Sequence, residues 1–302
     1  MYVQSVSHDA MVLSDSHSQS GPWGGCELTG ISLGGGRKLG NLGSILIAAF
    51  AIIVSIYLLL RSERKKAAVG RREMQLFLAS FIVIEICEIF TVGDFPLAEN
   101  VRIVSTRLGC LGAQPKLIDV QAFTGIHIGM IIASTWILML NAIVGYQIVD
   151  DGTPLSMGLI TASAAILLGG TLYITLDTGF QWTSYWNSSY QPPNRHIALY
   201  VLYQLAPLIF IVAFFVLETI LVIRVLGEMR PMLYLTAALL LFAVGQIFNY
   251  VISSQICKGT NGAVDGALFQ TFFTLLAVIA VWVFWSSITE DDWPMPVGNN
   301  FP

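Results

Sequence analysis

The chain has 302 residues, of which 55% are hydrophobic and 11% are charged, and its formal net charge is −4. Its mean hydropathy of +0.71 corresponds to more apolar surface than a soluble core could bury, so the composition predicts an integral membrane protein. The acidic balance excludes the basic footprint of a nucleic-acid-binding protein. Residues 1–25 lack the basic and apolar regions of a secretory signal peptide.

Seven segments are apolar and long enough, at about 20 residues or more, to cross the hydrocarbon core of a bilayer as helices. They are residues 41–60, 74–92, 119–149, 155–176, 196–226, 232–253 and 264–287. The sequence therefore predicts an all-α membrane protein whose domain of seven transmembrane helices covers residues 41–287. A polar N-terminal tail (1–40) precedes this domain, and a short acidic tail (288–302) follows it.

The orientation in the membrane is predicted from the basic residues. Six of the fifteen lie in or beside the loop between the first two spans: Arg61, Arg64, Lys65, Lys66, Arg71 and Arg72. Dense positive charge next to a span favours the cytosolic side, so we expect a lumenal N-terminus and a cytosolic C-terminus. The same charges are expected to attract anionic membrane lipids without any protein partner.

A sequon and three cysteines agree with this orientation. The sequon that begins at Asn187 lies in a loop predicted to be lumenal, so Asn187 is a candidate glycosylation site. Cys26, Cys110 and Cys257 fall on the same oxidising side, whereas Cys87 lies within the second span. We expect a disulfide among the three lumenal cysteines, and their spacing does not select the pair.

Polar groups inside the spans are costly, and they suggest either function or helix packing. Glu85 and Glu88 share one face of the second span, three residues apart. Gly125 and Gly129 form a GxxxG motif around His127 in the third span. The functional interpretation is an ion path or a carboxylate pair. The alternative, that these residues pack one helix against another, is the favoured one.

Catalysis is not expected. A catalytic zinc needs three protein ligands, and His127 is the one histidine well inside a span. No GxSxG, HExxH, P-loop or soluble GxGxxG motif is present in the sequence. The sequence thus predicts a protein that is not an enzyme, with no catalytic residues, no metal and no cofactor.

Three segments resemble one known family. They are AAVGRREM (67–74), NAIVGYQIVDDGTPLS (141–156) and the long segment 244–293, which includes VFWSSITEDDW. They are similar, in order and spacing over residues 37–293, to the fungal chitin synthase export chaperones. Residues 93–119, between the second and third spans, form a longer and more polar segment than the resemblance to this family leads us to expect. Such a difference is typical of a divergent paralogue.

The resemblance implies a non-catalytic, polytopic protein of the endoplasmic reticulum. Such a protein is needed for a chitin synthase, its client, to fold, avoid aggregation and leave in transport vesicles, and it could travel onward to the plasma membrane. Candidate client contacts are Glu85, Glu88, Gly125, Gly129, Asp150 and Asp151. Candidate residues for recognition by vesicle coat adaptors are Glu290, Asp291 and Asp292.

A receptor or sensor with seven helices and the same topology is the alternative. The cytosolic segments 150–154 and 227–231 are very short, and so is the C-terminal tail, which leaves little surface for a signalling partner. These lengths favour the accessory protein. A transporter is less favoured, because the two halves of the chain show no paired broken helices.

The segment DDGTP (150–154) predicts a tight cytosolic turn that makes the third and fourth helices antiparallel neighbours. Gly152 permits the reversal, and Pro154 suits the first turn of the fourth helix. Either Thr153 or Asp151 is expected to cap the free N–H groups of that helix.

Overall fold

The computed structural model describes residues 31–34, 37–39, 41–65, 68–91, 115–147, 151–180, 182–183, 185–186, 197–227 and 229–288. Within these ranges, seven helices are long and apolar enough to cross a membrane. This confirms the predicted membrane fold of seven transmembrane helices. The side of the membrane on which each terminus lies stays a prediction.

Five of the seven helices are regular along their whole length. They are α1 (Leu42–Arg64), α2 (Arg71–Thr91), α3 (Pro115–Gly145), α4 (Pro154–Phe180) and α7 (Gly266–Ile288). The helices α1 and α2 extend beyond the predicted spans to include basic residues. Arginine tolerates this position because its alkyl stem lies along apolar surface while the guanidinium reaches water.

The fifth and sixth spans contain π-helical segments that the sequence did not predict. The helix α5 consists of Ile197–Tyr200, the π segment Val201–Leu205, Ala206–Ile220 and a second π segment, Leu221–Leu226. The helix α6 consists of Arg230–Ile247, the π segment Phe248–Ile252 and Ser253–Gly259. In α5, Pro207 follows the first π segment and lacks a backbone N–H, so the local widening accommodates its ring.

A short β-hairpin precedes α1, within the segment that the sequence predicted as a polar tail. The strands β1 (Ile31–Gly34) and β2 (Arg37–Leu39) pair antiparallel, with Ile31 opposite Leu39. At the end of the pair, Gly34 stands opposite Arg37, and the register is irregular between Ser32 and Gly34. The periodicity of so short a segment is too weak to predict strands.

The helices pack in a ring with α3 as its most buried member. Each helix of the ring contacts the next, in the order α1, α2, α3, α5, α6, α7, and α7 in turn contacts α1. The remaining helix, α4, packs against α3. In the most apolar 18-residue stretch of α3, 56% of the residues are buried, whereas the corresponding share for α6 is 17%. The helix α6 therefore exposes the larger surface to lipid. The core contains Leu78, Ile137, Phe214, Leu275 and Trp285.

The predicted turn between α3 and α4 is confirmed in its described part. These helices are packed neighbours, and α4 begins at Pro154. Gly152 has φ +64°, the left-handed conformation that favours glycine. Thr153 Oγ1 accepts a hydrogen bond from the Ser156 N–H at 3.2 Å, so Thr153 makes the capping contact.

Candidate functional site

The three segments that carry the family resemblance meet at one end of the bundle, which the charge pattern predicts to be cytosolic. The loop between α1 and α2, the turn between α3 and α4, and the last turns of α7 are joined there by hydrogen bonds. We call this cluster the loop junction. Its members are Val69, Gly70, Glu73, Asp151, Gly152, Ser156 and Trp285.

Glu73 is the buried acceptor of the loop junction. Its Oε1 accepts hydrogen bonds from the Gly152 N–H at 3.0 Å and from the Ser156 hydroxyl at 3.2 Å. The side chain is 0% exposed although it lies in the first turn of α2. Glu73 therefore fastens the turn between α3 and α4 to the start of α2.

Asp151 and Trp285 complete the loop junction. The Gly70 N–H donates to Asp151 Oδ2 at 3.0 Å, and Trp285 Nε1 donates to the Val69 carbonyl at 2.9 Å. Gly70 has φ +68°, and a Cβ atom there would lie 2.8 Å from Asn141 Oδ1. Glycine is thus required at position 70 both by its backbone conformation and by the close approach of α3.

Basic and aromatic side chains join α1 to α7 beside the loop junction. The guanidinium of Arg61 lies over the Trp282 ring, 5.6 Å from its centroid, in a cation–π contact. Trp282 Nε1 donates to the buried Ser62 hydroxyl at 2.7 Å. Lys65 Nζ donates to the Ser286 carbonyl at 3.2 Å. Two of the predicted lipid-facing charges therefore also hold the last helix in place.

The remaining charges of the first loop form weaker contacts. Arg71 and Arg72 lie 3.7 and 3.6 Å from the carboxylate oxygens of Glu63. Glu63 and Arg72 are exposed, and such pairs contribute little to stability because water screens them. Both arginines remain near the surface, where they can also meet lipid headgroups.

A cavity of about 300 Å³ lies behind the loop junction, between α3, α5 and α7. Glu218 of α5 lines it and is buried. The Tyr146 hydroxyl donates to the Leu217 carbonyl at 2.6 Å and so closes one side. The described residues that line it are Val69, Gly70, Asn141, Gly145, Tyr146, Gln147, Glu218, Leu221, Val225, Trp285 and Ile288.

The predicted intramembrane contacts for a client lie mostly inside the bundle. Glu85 is 1% exposed, and Glu88 accepts a hydrogen bond from the Thr271 hydroxyl of α7. This arrangement supports the packing alternative for the carboxylate pair. It also joins α2 to α7 across the ring.

The two glycines of α3 are covered by α4. A Cβ atom at Gly125 would lie 3.1 Å from Leu172 Cδ1, and one at Gly129 would lie 2.7 Å from Leu168 Cδ1. Both glycines are buried. The small-residue face therefore permits the close packing of α3 on α4, as the packing alternative predicted.

The opposite end of the bundle has its own polar contacts. Asn41 Nδ2 donates to Asp265 Oδ1 at 2.9 Å, while Asn41 Oδ1 accepts from the Ser44 N–H at 3.1 Å and caps α1. Burial raises the pKa of Asp265 above its ordinary value. Cys257 at this end is disulfide-bonded, whereas Cys87 is a free, buried thiol.

Several predicted sites lie outside the described residues: Cys26, Cys110, Asp150, Asn187, Glu290, Asp291 and Asp292. The partner of Cys257, the glycosylation of Asn187 and the sorting role of the acidic tail therefore stay predictions. In the part of the chain that the structure describes, no group of three or more His, Cys, Asp or Glu residues could hold a metal ion.

The sequence reasoning did not identify Glu73, Trp285 or the cavity. Glu73 and Trp285 stand within the quoted family segments, but their partners are distant along the chain. The signal available for Glu73 is an acidic residue at the start of an apolar span, three positions after a glycine. Glu218 lies within the fifth predicted span, and the sequence alone indicates no partner or site for it.

Comparison with known proteins matches almost the whole chain. The family described as "Chitin synthase export chaperone" matches residues 6–299. A chitin synthase export chaperone of Aspergillus fumigatus is 29% identical over 248 residues, which are 82% of this chain and 68% of the relative. One of Cryptococcus neoformans var. neoformans is 29% identical over 253 residues, which are 82% and 63% of the two chains.

A Neurospora crassa protein of the same name is 27% identical over 250 residues, covering 82% of this chain and 63% of the relative. The chain thus spans less than two thirds of the Cryptococcus and Neurospora proteins. No solved structure matches. The receptor interpretation gains no support from these comparisons.

Proposed function

This chain belongs to the family of chitin synthase export chaperones, and we propose that it assists the folding and export of a chitin synthase from the endoplasmic reticulum. By that role it would support chitin synthesis and cell wall biogenesis. The observation that carries this proposal is the family match over residues 6–299, which includes all seven spans. The quoted loop segments support it as well, because they meet in one hydrogen-bonded cluster rather than lying apart.

A non-catalytic role is part of the proposal. The polar side chains inside the bundle are engaged largely in contacts between helices, as Glu73 and Glu88 illustrate. Surfaces available to a client are the apolar faces of α4, α5 and α6, whose exposed side chains include Ile166, Val212 and Leu240. Lipid covers these faces when no client is bound.

We further propose that the N-terminus is lumenal and the C-terminus cytosolic. Supporting observations are the basic first loop and the position of the sequon at Asn187. Endoglycosidase treatment is expected to increase the mobility of the wild-type chain on a denaturing gel and to leave Asn187→Gln unchanged. If both proteins migrate alike with and without the enzyme, Asn187 gives no support for the orientation.

The acidic tail is proposed to be read by vesicle coat adaptors on the cytosolic side. Glu290, Asp291 and Asp292 follow α7 directly and would be accessible there. Replacing all three with alanine is expected to slow the exit of the chaperone from the endoplasmic reticulum at unchanged protein level. Normal exit of both chaperone and client would remove this role.

The experiment that tests the proposed function is deletion of the gene in a fungal strain that carries a fluorescent chitin synthase. We expect the synthase to be retained in the endoplasmic reticulum, because its export needs the chaperone. An unrelated plasma-membrane protein, imaged in the same cells, should still reach the surface. Normal delivery of the synthase in the deletion strain would contradict the proposal.

A further inference from the structure

The cavity behind the loop junction contains a buried carboxylate with an unused oxygen. Glu218 is 5% exposed, and its Oε2 has no hydrogen-bond partner among the described residues. Among the residues that the structure describes, no lysine or arginine lines the cavity. Removing a carboxylate from water is costly unless it is paired, so this arrangement favours a bound cation.

The backbone around the cavity also favours a positively charged ligand. The helices α3 and α7 end at Gly145 and Ile288, and both residues line the cavity together with Val225 near the end of α5. The C-terminal end of a helix carries a partial negative charge from its unpaired carbonyl groups. Three such ends therefore attract a positive group toward Glu218.

The shape and remaining lining suit an alkyl chain that ends in a charge. Asn141 offers a buried amide, and the aromatic residues Tyr146 and Trp285 supply apolar wall. Gln147 and Val225 are exposed and form the rim, so the cavity has an entrance. A volume of about 300 Å³ is at the small end of the range for ligand pockets. A metal ion fits poorly, because a single carboxylate supplies too few of the oxygen ligands it needs.

We propose that this cavity binds a lysine or arginine side chain of the client, with Glu218 pairing the ammonium or guanidinium group. The inference rests on the proposed function, which supplies the client. Membrane proteins carry their excess of lysine and arginine at the cytosolic ends of their spans, and the loop junction lies at the predicted cytosolic end. The cavity would therefore bind a basic residue at the cytosolic end of a transmembrane helix of the client, until that helix packs against the other helices of the client.

The first experiment measures cation binding with the purified full-length chain in detergent micelles. The probes are n-butylammonium and n-butylguanidinium, and n-butanol is the uncharged control. We expect either cation to raise the melting temperature of the wild type, and n-butanol to have no effect, because a ligand that binds the folded state stabilises it. Glu218→Gln should lose this shift. Glu85→Gln, a change at a buried glutamate outside the cavity, should keep it.

The absence of a cation-specific shift in the wild type, or an equal shift in Glu218→Gln, would overturn the inference. If Glu218→Gln fails to fold, Val225→Trp replaces it. Val225 is 65% exposed at the rim, so a larger side chain there should block the entrance without changing the buried core. Val225→Trp is expected to lose the shift, and an unchanged shift counts against the pocket.

The second experiment identifies the source of the cation. Tagged chitin synthase recovered with the chaperone should fall about tenfold or more in Glu218→Gln, as is usual when one partner of a buried charge pair is removed. Recovery with Glu63→Gln, a change at an exposed glutamate outside the cavity, should equal that with the wild type. Undiminished recovery with Glu218→Gln would assign the ammonium to another source, such as an ethanolamine phospholipid, and would overturn the client-binding part.

The deletion strain separates this inference from the proposed function. If Glu218→Gln restores export of the synthase fully while the empty deletion strain retains it, the pocket inference fails and the chaperone function stands. If the deletion strain itself exports the synthase normally, the function fails regardless of Glu218.

Discussion

Replacing Glu73 with alanine is expected to lower the free energy of unfolding by about 3 kcal/mol. The change removes the acceptor for the Gly152 N–H and for the Ser156 hydroxyl, and leaving a buried donor without its partner costs roughly 1–3 kcal/mol for each group. The Ser156 hydroxyl is buried, so water replaces its lost partner poorly. Reversible unfolding of the purified chain in detergent micelles measures the effect.

Glu63→Ala is the matched control for this variant. Glu63 belongs to the same loop region, but it is exposed and its ion pairs are long, at 3.6 and 3.7 Å. Its removal should change the free energy of unfolding by less than about 1 kcal/mol. Equal effects of Glu63→Ala and Glu73→Ala would show that the loop junction does not depend on Glu73. Glu73→Gln, which retains one oxygen acceptor, should fall between the two.

Gly266→Ala is expected to destabilise the chain by about 2–3 kcal/mol. A Cβ atom at this first position of α7 would lie 2.6 Å from Ser253 Cβ and 2.9 Å from Ser253 Cα, and it would also overlap the Phe248 carbonyl oxygen. Two of these three neighbours are backbone atoms, which cannot move aside independently. Overpacking of this kind usually costs about 1–3 kcal/mol.

Gly259→Ala provides the control at the end of α6. No atom lies within 4 Å of a Cβ atom built at Gly259, so the substitution should alter stability by less than about 0.5 kcal/mol. Unfolding curves of the two variants in the same micelles give the comparison. A stable Gly266→Ala protein would contradict the close approach of α6 and α7 at this end of the bundle.

The seven spans could be predicted because lipid imposes a strong and simple requirement on sequence. Each span must be apolar and helical over about 20 residues, and that pattern is visible without any tertiary information. The π segments at Val201–Leu205 and Phe248–Ile252 could not be predicted, since they change hydrogen bonding within a helix but hardly alter its composition. The hairpin before α1 escaped prediction for a different reason, because three or four residues per strand give no usable period.

The turn between α3 and α4 was predictable because its chemistry is local. Gly152, Thr153 and Pro154 act within a few residues of one another, and the structure gives the capping contact to Thr153. Asp151 instead bonds Gly70, which is 81 positions away in sequence. Pairings at such separation depend on which helices are neighbours, and a single sequence does not reveal that order.

The same limit explains the candidate site. The sequence identified Glu85 and Glu88 as a shared face, and the structure shows why a shared face is insufficient: α7 already covers part of it through Thr271. The sequence did not indicate a site at Glu218, because the cavity around it is formed by the ends of three separate helices, α3, α5 and α7. Charge inside a span indicates importance, but the neighbouring helices decide whether it packs or binds.

The central claim is that this chain keeps an unassembled chitin synthase from aggregating in the membrane. The most direct measurement is to express a tagged chitin synthase in a host that lacks both proteins, with and without this chain, and to compare detergent extracts by size-exclusion chromatography. We expect the chain to increase the monodisperse fraction of the synthase several-fold, while an unrelated multi-pass protein expressed in the same way is unaffected. The same aggregated fraction with and without the chain would contradict the claim.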